Sequence, residues 1–181
     1  MTILKTSYNR RSFIKASTLS SGGFMLGFSM LTGFKFPEEE GMDIPDELFD
    51  LNSYIKINLK GEITIFSPNP EFGQNVKASM PMIVAEELDV DWQKVIVEQA
   101  PYSTQLFGRQ FTGGSQSIRQ GWKGLRMAGA TARQMLREAA AQKWQVPLDE
   151  ITTELGVLYH KKTSKSATYG ELASVAAKIP V

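Results

Sequence analysis

The segment Gln116 to Trp144 constrains this chain more than any other. Ile118, Trp122, Leu125, Gly129, Ala132, Leu136 and Ala139 recur in alternating steps of four and three. That spacing puts them on one stripe of a long α-helix and on no single face of a strand. Within the stripe, Ala128-Gly129-Ala130 leaves room for a neighbouring element to approach closely. The remaining elements are short. Tyr54 to Phe66 alternates: Ile55, Ile57 and Leu59 face one way, and Lys56, Asn58 and Lys60 the other. A turn at Lys60-Gly61 then lets Ile63 and Ile65 resume the apolar face, which predicts a β-hairpin with one buried side. Ser67-Pro-Asn-Pro70 is a loop, because two prolines do not fit a central strand. Gly73 to Leu88 predicts a helix through Val76, Met80, Ile83, Val84 and Leu88. Pro81 lies inside it and predicts a kink or a late start. Val95 to Glu98 predicts a short strand, and Pro101 to Gly114 a polar loop with three glycines. Two further strands flank Gly156, and Thr168-x-x-Glu171 is a capping box for a last helix to about Ala177. The fold class is α+β, with four or five strands and three or four helices. So few short strands do not cover the long stripe, so the body reads as part of something larger.

The N-terminal residues read as an address. Asn9-Arg-Arg-Ser-Phe-Ile-Lys15 matches a twin-arginine export signal, and nineteen uncharged residues follow, Ala16 to Phe34. Ten of these are Ser, Thr or Gly, too weakly apolar for an ordinary membrane helix. There is no Ala-x-Ala cleavage site, so the signal is either cut elsewhere or kept as a membrane tether. The expected location is the periplasm or the outer face of the inner membrane. The division is therefore 1–36 signal, 37–52 acidic spacer and 53–181 folded body, the spacer being self-repelling and extended.

Composition removes several chemistries. The chain has no cysteine and one histidine, His160. This excludes thiolate zinc sites, cysteine nucleophiles and iron–sulfur clusters ligated in the usual way by this chain. Residues 1–37 carry five basic and no acidic side chains, which leaves the rest with 15 basic against 19 acidic. An acidic body repels a polyanion, so nucleic acid is not an expected partner. His160, beside Lys161 and Lys162, reads as part of a solvated turn. Glu86, Glu87 and Asp89 read as a polar helix end, and Trp92, Trp122 and Trp144 as core or boundary residues.

Two segments have the makings of a site. In Glu71-Phe72-Gly73-Gln74-Asn75, Gly73 lets a bulky ligand approach the backbone, and the Gln74 amide both donates and accepts. In Phe111-Thr112-Gly113-Gly114-Ser115-Gln116-Ser117, glycines expose backbone amides at the start of a helix, and Arg119 lies in its first turns. Those features suit a phosphate. Taken alone, each reads more simply as ordinary helix-start chemistry: the first as a helix N-terminus with glutamine in its first turn, the second with Ser115 or Ser117 as N-cap. Neither is a Walker loop or a dinucleotide fingerprint.

Taken in order, these pieces resemble the molybdopterin-binding large subunit of the xanthine dehydrogenase family, in the branch of exported isoquinoline 1-oxidoreductase beta subunits and membrane-associated aldehyde dehydrogenases. The residues that carry the resemblance are Asn9 to Lys15, Glu71 to Gln74, Met80-Pro-Met-Ile-Val-Ala-Glu-Glu-Leu88, Trp92 to Glu98, and Phe111 to Arg119 with its helix. The resemblance implies a molybdenum–molybdopterin cofactor, in its cytosine dinucleotide form. Gly73 and Gln74 would touch the pterin or the ligand side of the metal, and Thr112, Gly113, Gly114 and Ser115 its phosphate end. Asn75 stands where many members have a second glycine, leaving less room beside Gln74. The implied reaction is oxidation of an aldehyde or N-heteroaromatic with oxygen from water. The implied partners are a small subunit that holds the iron–sulfur clusters, the remainder of the large subunit and a small-molecule substrate. The family's catalytic base lies far beyond Val181, so the chain reads as an N-terminal part that cradles cofactor but has no turnover alone. The competing readings are a stand-alone periplasmic α+β binding module and a non-functional product of an interrupted gene.

Overall fold

The structure is a computed structural model that describes residues 48–180. The export signal and most of the acidic spacer lie outside the described residues. The last five residues assigned to that spacer form a strand, β1 (Leu48–Asn52), which pairs antiparallel with β2 (Ile55–Asn58). β2 pairs antiparallel with β3 (Ile63–Ser67), and β3 runs parallel to β4 (Val95–Gln99). The sheet order is β1-β2-β3-β4. Helix α1 (Val76–Leu88) makes the crossover that two parallel neighbours require. After α2 (Thr104–Phe107) comes the predicted long helix, α3 (Ser117–Trp144). A second antiparallel sheet, β5 (Ile151–Glu154), β6 (Val157–His160) and β7 (Lys165–Thr168), precedes α4 (Tyr169–Ala176).

The hairpin forms, but its turn differs from the alternating pattern. Asn58 is buried and Leu59 is 55% exposed. The Asn58 side chain accepts from the Glu62 amide at 2.8 Å and donates to the Glu62 carboxylate at 2.7 Å. These bonds, with Gly61 at φ +85°, close a tight turn and turn Leu59 out of the core. Helix α1 starts three residues after Gly73. Gly73 (φ +103°) and Asn75 (φ +69°) both have left-handed backbone that no helix accepts. Pro81 is buried inside α1, and the helix runs through it with one donor missing opposite Lys77.

One core joins both sheets. Ile55, Ile57 and Ile65 from the first sheet, Val84 and Leu88 from α1, Leu136 from α3, Leu158 from β6 and Leu172 from α4 are fully buried. Gly129 is where α3 meets α1 backbone to backbone: a methyl group added there would lie 2.3 Å from the Val84 carbonyl oxygen. Asp89, just past α1, ties in the second sheet. Its carboxylate accepts from Thr153 Oγ1 at 2.6 Å and Arg133 at 3.1 Å, and its carbonyl accepts from the Gly156 amide at 2.7 Å. The Tyr169 hydroxyl donates to the Leu88 carbonyl at 2.8 Å, and burial pushes this phenol well above its usual range.

His160 is not solvated. It is 2% exposed, with one ring nitrogen 2.7 Å from Glu150 Oε2 and the other 2.7 Å from Thr163 Oγ1. The stripe on α3 is buried from Leu125 onward, whereas Ile118 and Trp122 are 36% and 50% exposed. Trp92 and Trp144 pack against the core.

Candidate functional site

The two glycine segments meet. Asn69, 5% exposed between its two prolines, donates to the Phe111 carbonyl and to Ser117 Oγ, both at 2.9 Å. Thr112 Oγ1 donates to the Pro70 carbonyl at 2.8 Å. The Gln110 amide donates to the Pro68 carbonyl at 3.1 Å and to the Pro101 carbonyl at 2.9 Å. The loops that open α1 and α3 are thereby fastened side by side.

The two helix starts differ in charge. A helix N-terminus presents unpaired amides with a partial positive charge. At α1 these amides already have an anion. The Glu71 carboxylate accepts from the amides of Gly73 at 2.6 Å, Asn75 at 3.0 Å and Lys77 at 2.9 Å. The Lys77 amide, followed by those of Asn75 and Gly73, holds the Glu71 carboxyl below the usual glutamate range. Gln74 is turned back on the same loop, accepting from the Phe72 amide at 2.8 Å and donating to the Pro70 carbonyl at 3.2 Å. Gly73 is exposed, with nothing within 4 Å of the place a methyl group would occupy.

At α3 the corresponding positions are open. Among the described residues, the amides of Gly113, Gly114 and Ser115 donate no hydrogen bond, and no side chain caps the helix. Gly114 (φ +60°) and Ser115 (φ +54°) are successive left-handed residues, and a Gln116–Gly113 bond of 3.3 Å closes the turn. Consecutive amides in such a turn form a concave anion seat. The Gln116 side-chain oxygen is buried there with no partner. The Phe111 ring lies against Gly113, where a methyl group would meet it at 2.6 Å, and the Arg109 guanidinium sits 4.5 Å from the ring centre. Arg119 is exposed in the first turn of α3. Among the described residues, no group of three or more His, Asp or Glu side chains is placed to hold a bare metal ion. An elongated molecule with an anionic end fits these residues: open amides at one loop and uncovered backbone at the other.

Sequence reasoning found both glycine loops and included Glu71 in the first without giving its carboxylate a role, and it missed Asn69 and Gln110. The Glu71 signal was present, since a carboxylate two to six residues ahead of the first helical amides is within reach of them. Asn69 left none, because its partners are 42 and 48 residues away.

The Glu71 bonds set a pH dependence. Its carboxyl is depressed in the folded chain, so its ordering of the 71–77 loop is present above the unfolded value, ~4.3, and is lost as pH falls through the folded value. The amide proton shifts of Gly73, Asn75 and Lys77 are expected to move together in that acid range. In Glu71→Gln that shared step disappears. Three independent titrations, or none in the native chain, would contradict this account.

The molybdopterin cofactor-binding domain description matches residues 7–181. The beta subunit of isoquinoline 1-oxidoreductase from Brevundimonas diminuta is 40% identical over 129 residues, 68% of this chain and 16% of that protein. A membrane-bound aldehyde dehydrogenase [pyrroloquinoline-quinone] from Gluconacetobacter polyoxogenes is 27% identical over 168 residues, 87% of this chain and 21% of that protein. The chain thus spans between a sixth and about a fifth of the length of these relatives. Among solved structures, quinoline 2-oxidoreductase from Pseudomonas putida 86 shares the fold with a TM-score of 0.52 at 18% identity, over 70% of this chain and 16% of that one. CO dehydrogenase from Oligotropha carboxidovorans does so with 0.52 at 22% identity, over 65% of this chain and 15% of that one. The chain belongs to the molybdopterin cofactor-binding domain family.

Proposed function

We propose that this chain forms the first part of the cofactor cradle in the large subunit of an exported molybdenum hydroxylase. The observation that carries this reading is the contrast between the two helix starts. Glu71 fills one, and the Gly113-Gly114-Ser115 amides at the other remain open. When bound, the molybdenum pterin supplies oxidation of an aldehyde or N-heteroaromatic carbon with oxygen from water.

This chain's own residues bind and orient. The amides of Gly113, Gly114 and Ser115 hold the phosphate end, helped by the α3 dipole. Thr112 spends its hydroxyl proton on Pro70, so it acts by fixing the distance between the loops and offers only its lone pairs to the ligand region. Gly73 admits the pterin close to the backbone. Gln74 reaches it by releasing the two bonds it now makes to its own loop. Export as a folded unit by the twin-arginine route, a cytosine dinucleotide cofactor and an iron–sulfur partner subunit complete the proposal. The partly uncovered stripe at Ile118 and Trp122 supports assembly with further polypeptide.

The test is cofactor analysis of the complex purified with its partner polypeptides. Molybdenum, released pterin and released CMP are expected at about one per chain. Ser115→Glu, which puts a carboxylate at the open amides, is expected to lower all three at least tenfold, a loss of about 1.4 kcal/mol, with an unchanged circular dichroism spectrum. A complex that holds a quinone in place of molybdenum, or a Ser115→Glu variant that loads normally, would overturn the reading.

A further inference from the structure

Helix α3 carries six basic side chains and one acidic, Glu138, although acids outnumber bases in the body as a whole. Five of the six fall on one line. Arg119, Lys123, Arg126, Arg133 and Arg137, with Ala130 among them, recur in alternating steps of four and three. That line lies about a third of a turn round the helix from the buried stripe and runs for about 27 Å. Like charges at these spacings repel, so the helix itself gains nothing from the arrangement.

The rest of the molecule neutralises the line only in part. Arg126 bonds the Glu87 carboxylate, and Arg133 donates to Asp89 at 3.1 Å. Arg137 donates to neutral acceptors: the Ile151 carbonyl at 3.1 Å, the Leu148 carbonyl at 3.2 Å and the Gln134 side-chain oxygen at 3.1 Å. Among the described residues, Arg119 and Lys123 have no ion-pair partner. Asp149, exposed at the Arg137 end, is a third carboxylate. Five cations against these three carboxylates leave an excess of two positive charges.

Much of the line is sunk in a groove. Glu87 and Ala130 are shared by two adjoining hollows of about 280 Å³ and 630 Å³. The smaller, at Lys123 and Arg126, is walled by the exposed side chains of Trp122 and Met127. The larger, at Arg133 and Arg137, is walled by Thr152 and Thr153 of β5. This shape selects among anionic partners. A membrane surface or a nucleic-acid duplex is a broad lattice of negative charge, which an otherwise acidic body repels. A single polypeptide strand is narrow enough to lie in the groove and touch the cations alone.

We propose that this groove is a docking surface for an acidic polypeptide segment of a partner. Its carboxylates lie along the line from Arg119 to Arg137, and an apolar side chain rests on Trp122 and Met127. Lys123 to Arg137 lie outside both glycine loops, so the proposal does not rest on the cofactor reading.

The test is fluorescence anisotropy with the full chain and a labelled peptide of one leucine and about eight glutamates, long enough to span the line. Binding tighter than about 100 µM is expected at low salt, weakening as salt rises. Arg119→Glu and Lys123→Glu are each expected to weaken it about fivefold. Lys143→Glu, the same change on the same helix but off the line, is expected to weaken it less than about twofold. All three side chains are exposed, so folding is not at stake, and circular dichroism confirms it. Binding indifferent to Arg119→Glu and Lys123→Glu would assign the peptide to the basic residues of 1–37 and overturn the proposal. So would no binding up to about 1 mM, or a loss in Lys143→Glu as large as in the other two. An oligothymidylate of equal charge, or phosphatidylglycerol vesicles, binding as tightly as the peptide would overturn it as well.

Discussion

Gly129→Ala is expected to lower the stability of the folded body by about 2 kcal/mol net, measured by urea unfolding. Alanine is the better helix former by about 1 kcal/mol, so an open site would respond in the opposite direction. The site is not open. The new methyl group would lie 2.3 Å from the Val84 carbonyl oxygen, 2.9 Å from Glu87 Cβ and 3.1 Å from the Leu88 amide nitrogen. Two of these are backbone atoms of α1, and the side chains of Val84 and Leu88 are fully buried, so neither helix yields without disturbing the core. Gly124→Ala, one face round the same helix, is the internal control. Nothing lies within 4 Å of that methyl group, and a gain of about 0.5–1 kcal/mol is expected. Equal effects at the two positions would show that helix propensity, not the crossing of α1 and α3, decides the outcome.

Gly170→Ala is expected to cost about 2–3 kcal/mol for a different reason. Its methyl group would meet the Gly61 amide nitrogen at 2.6 Å, and the Asn58 oxygen and Gly61 Cα at 2.8 Å. All three are backbone atoms of the β2–β3 turn. That turn is held by the Gly61–Asn58 bond of 3.0 Å and by both Asn58 side-chain bonds to Glu62. On the other side, α4 is held by its Thr168–Glu171 capping box and the fully buried Leu172. Neither side has a flexible group to move aside. A drop in the urea midpoint with unchanged slope is the expected signature. An unchanged midpoint would mean that the turn and helix are not in backbone contact in solution.

These two glycines show what a sequence discloses. Gly129 was readable because it interrupts a stripe repeated over seven positions, with alanine on both sides. Gly170 was not, because its neighbour is a turn more than a hundred residues earlier. Strand β7 escaped notice because Ala167 alone is buried in it, so it has no apolar alternation. β1 was hidden among carboxylates that suggested a spacer. Asn58 and Leu59 were assigned to the wrong sides because alternation continued into the turn, where side-chain hydrogen bonding overrides it. His160 looked solvated beside two lysines, whereas the acceptor that makes its burial affordable, Glu150, comes ten residues earlier. At the site, glycine and hydroxyl content revealed both loops, since their backbone needs are local. Their meeting through Asn69 depends on tertiary distance.

Under the proposed function, the Glu71 carboxylate also sets the direction in which a ligand charged at one end would lie. Had both helix starts been vacant, such a ligand would find two equivalent berths and lie in either direction, half the time reversed. Because α1 brings its own counter-ion, of these two helix starts only that of α3 is vacant among the described residues. A phosphate-tailed molecule entering it is oriented by its tail, before its reactive head has made any contact at all.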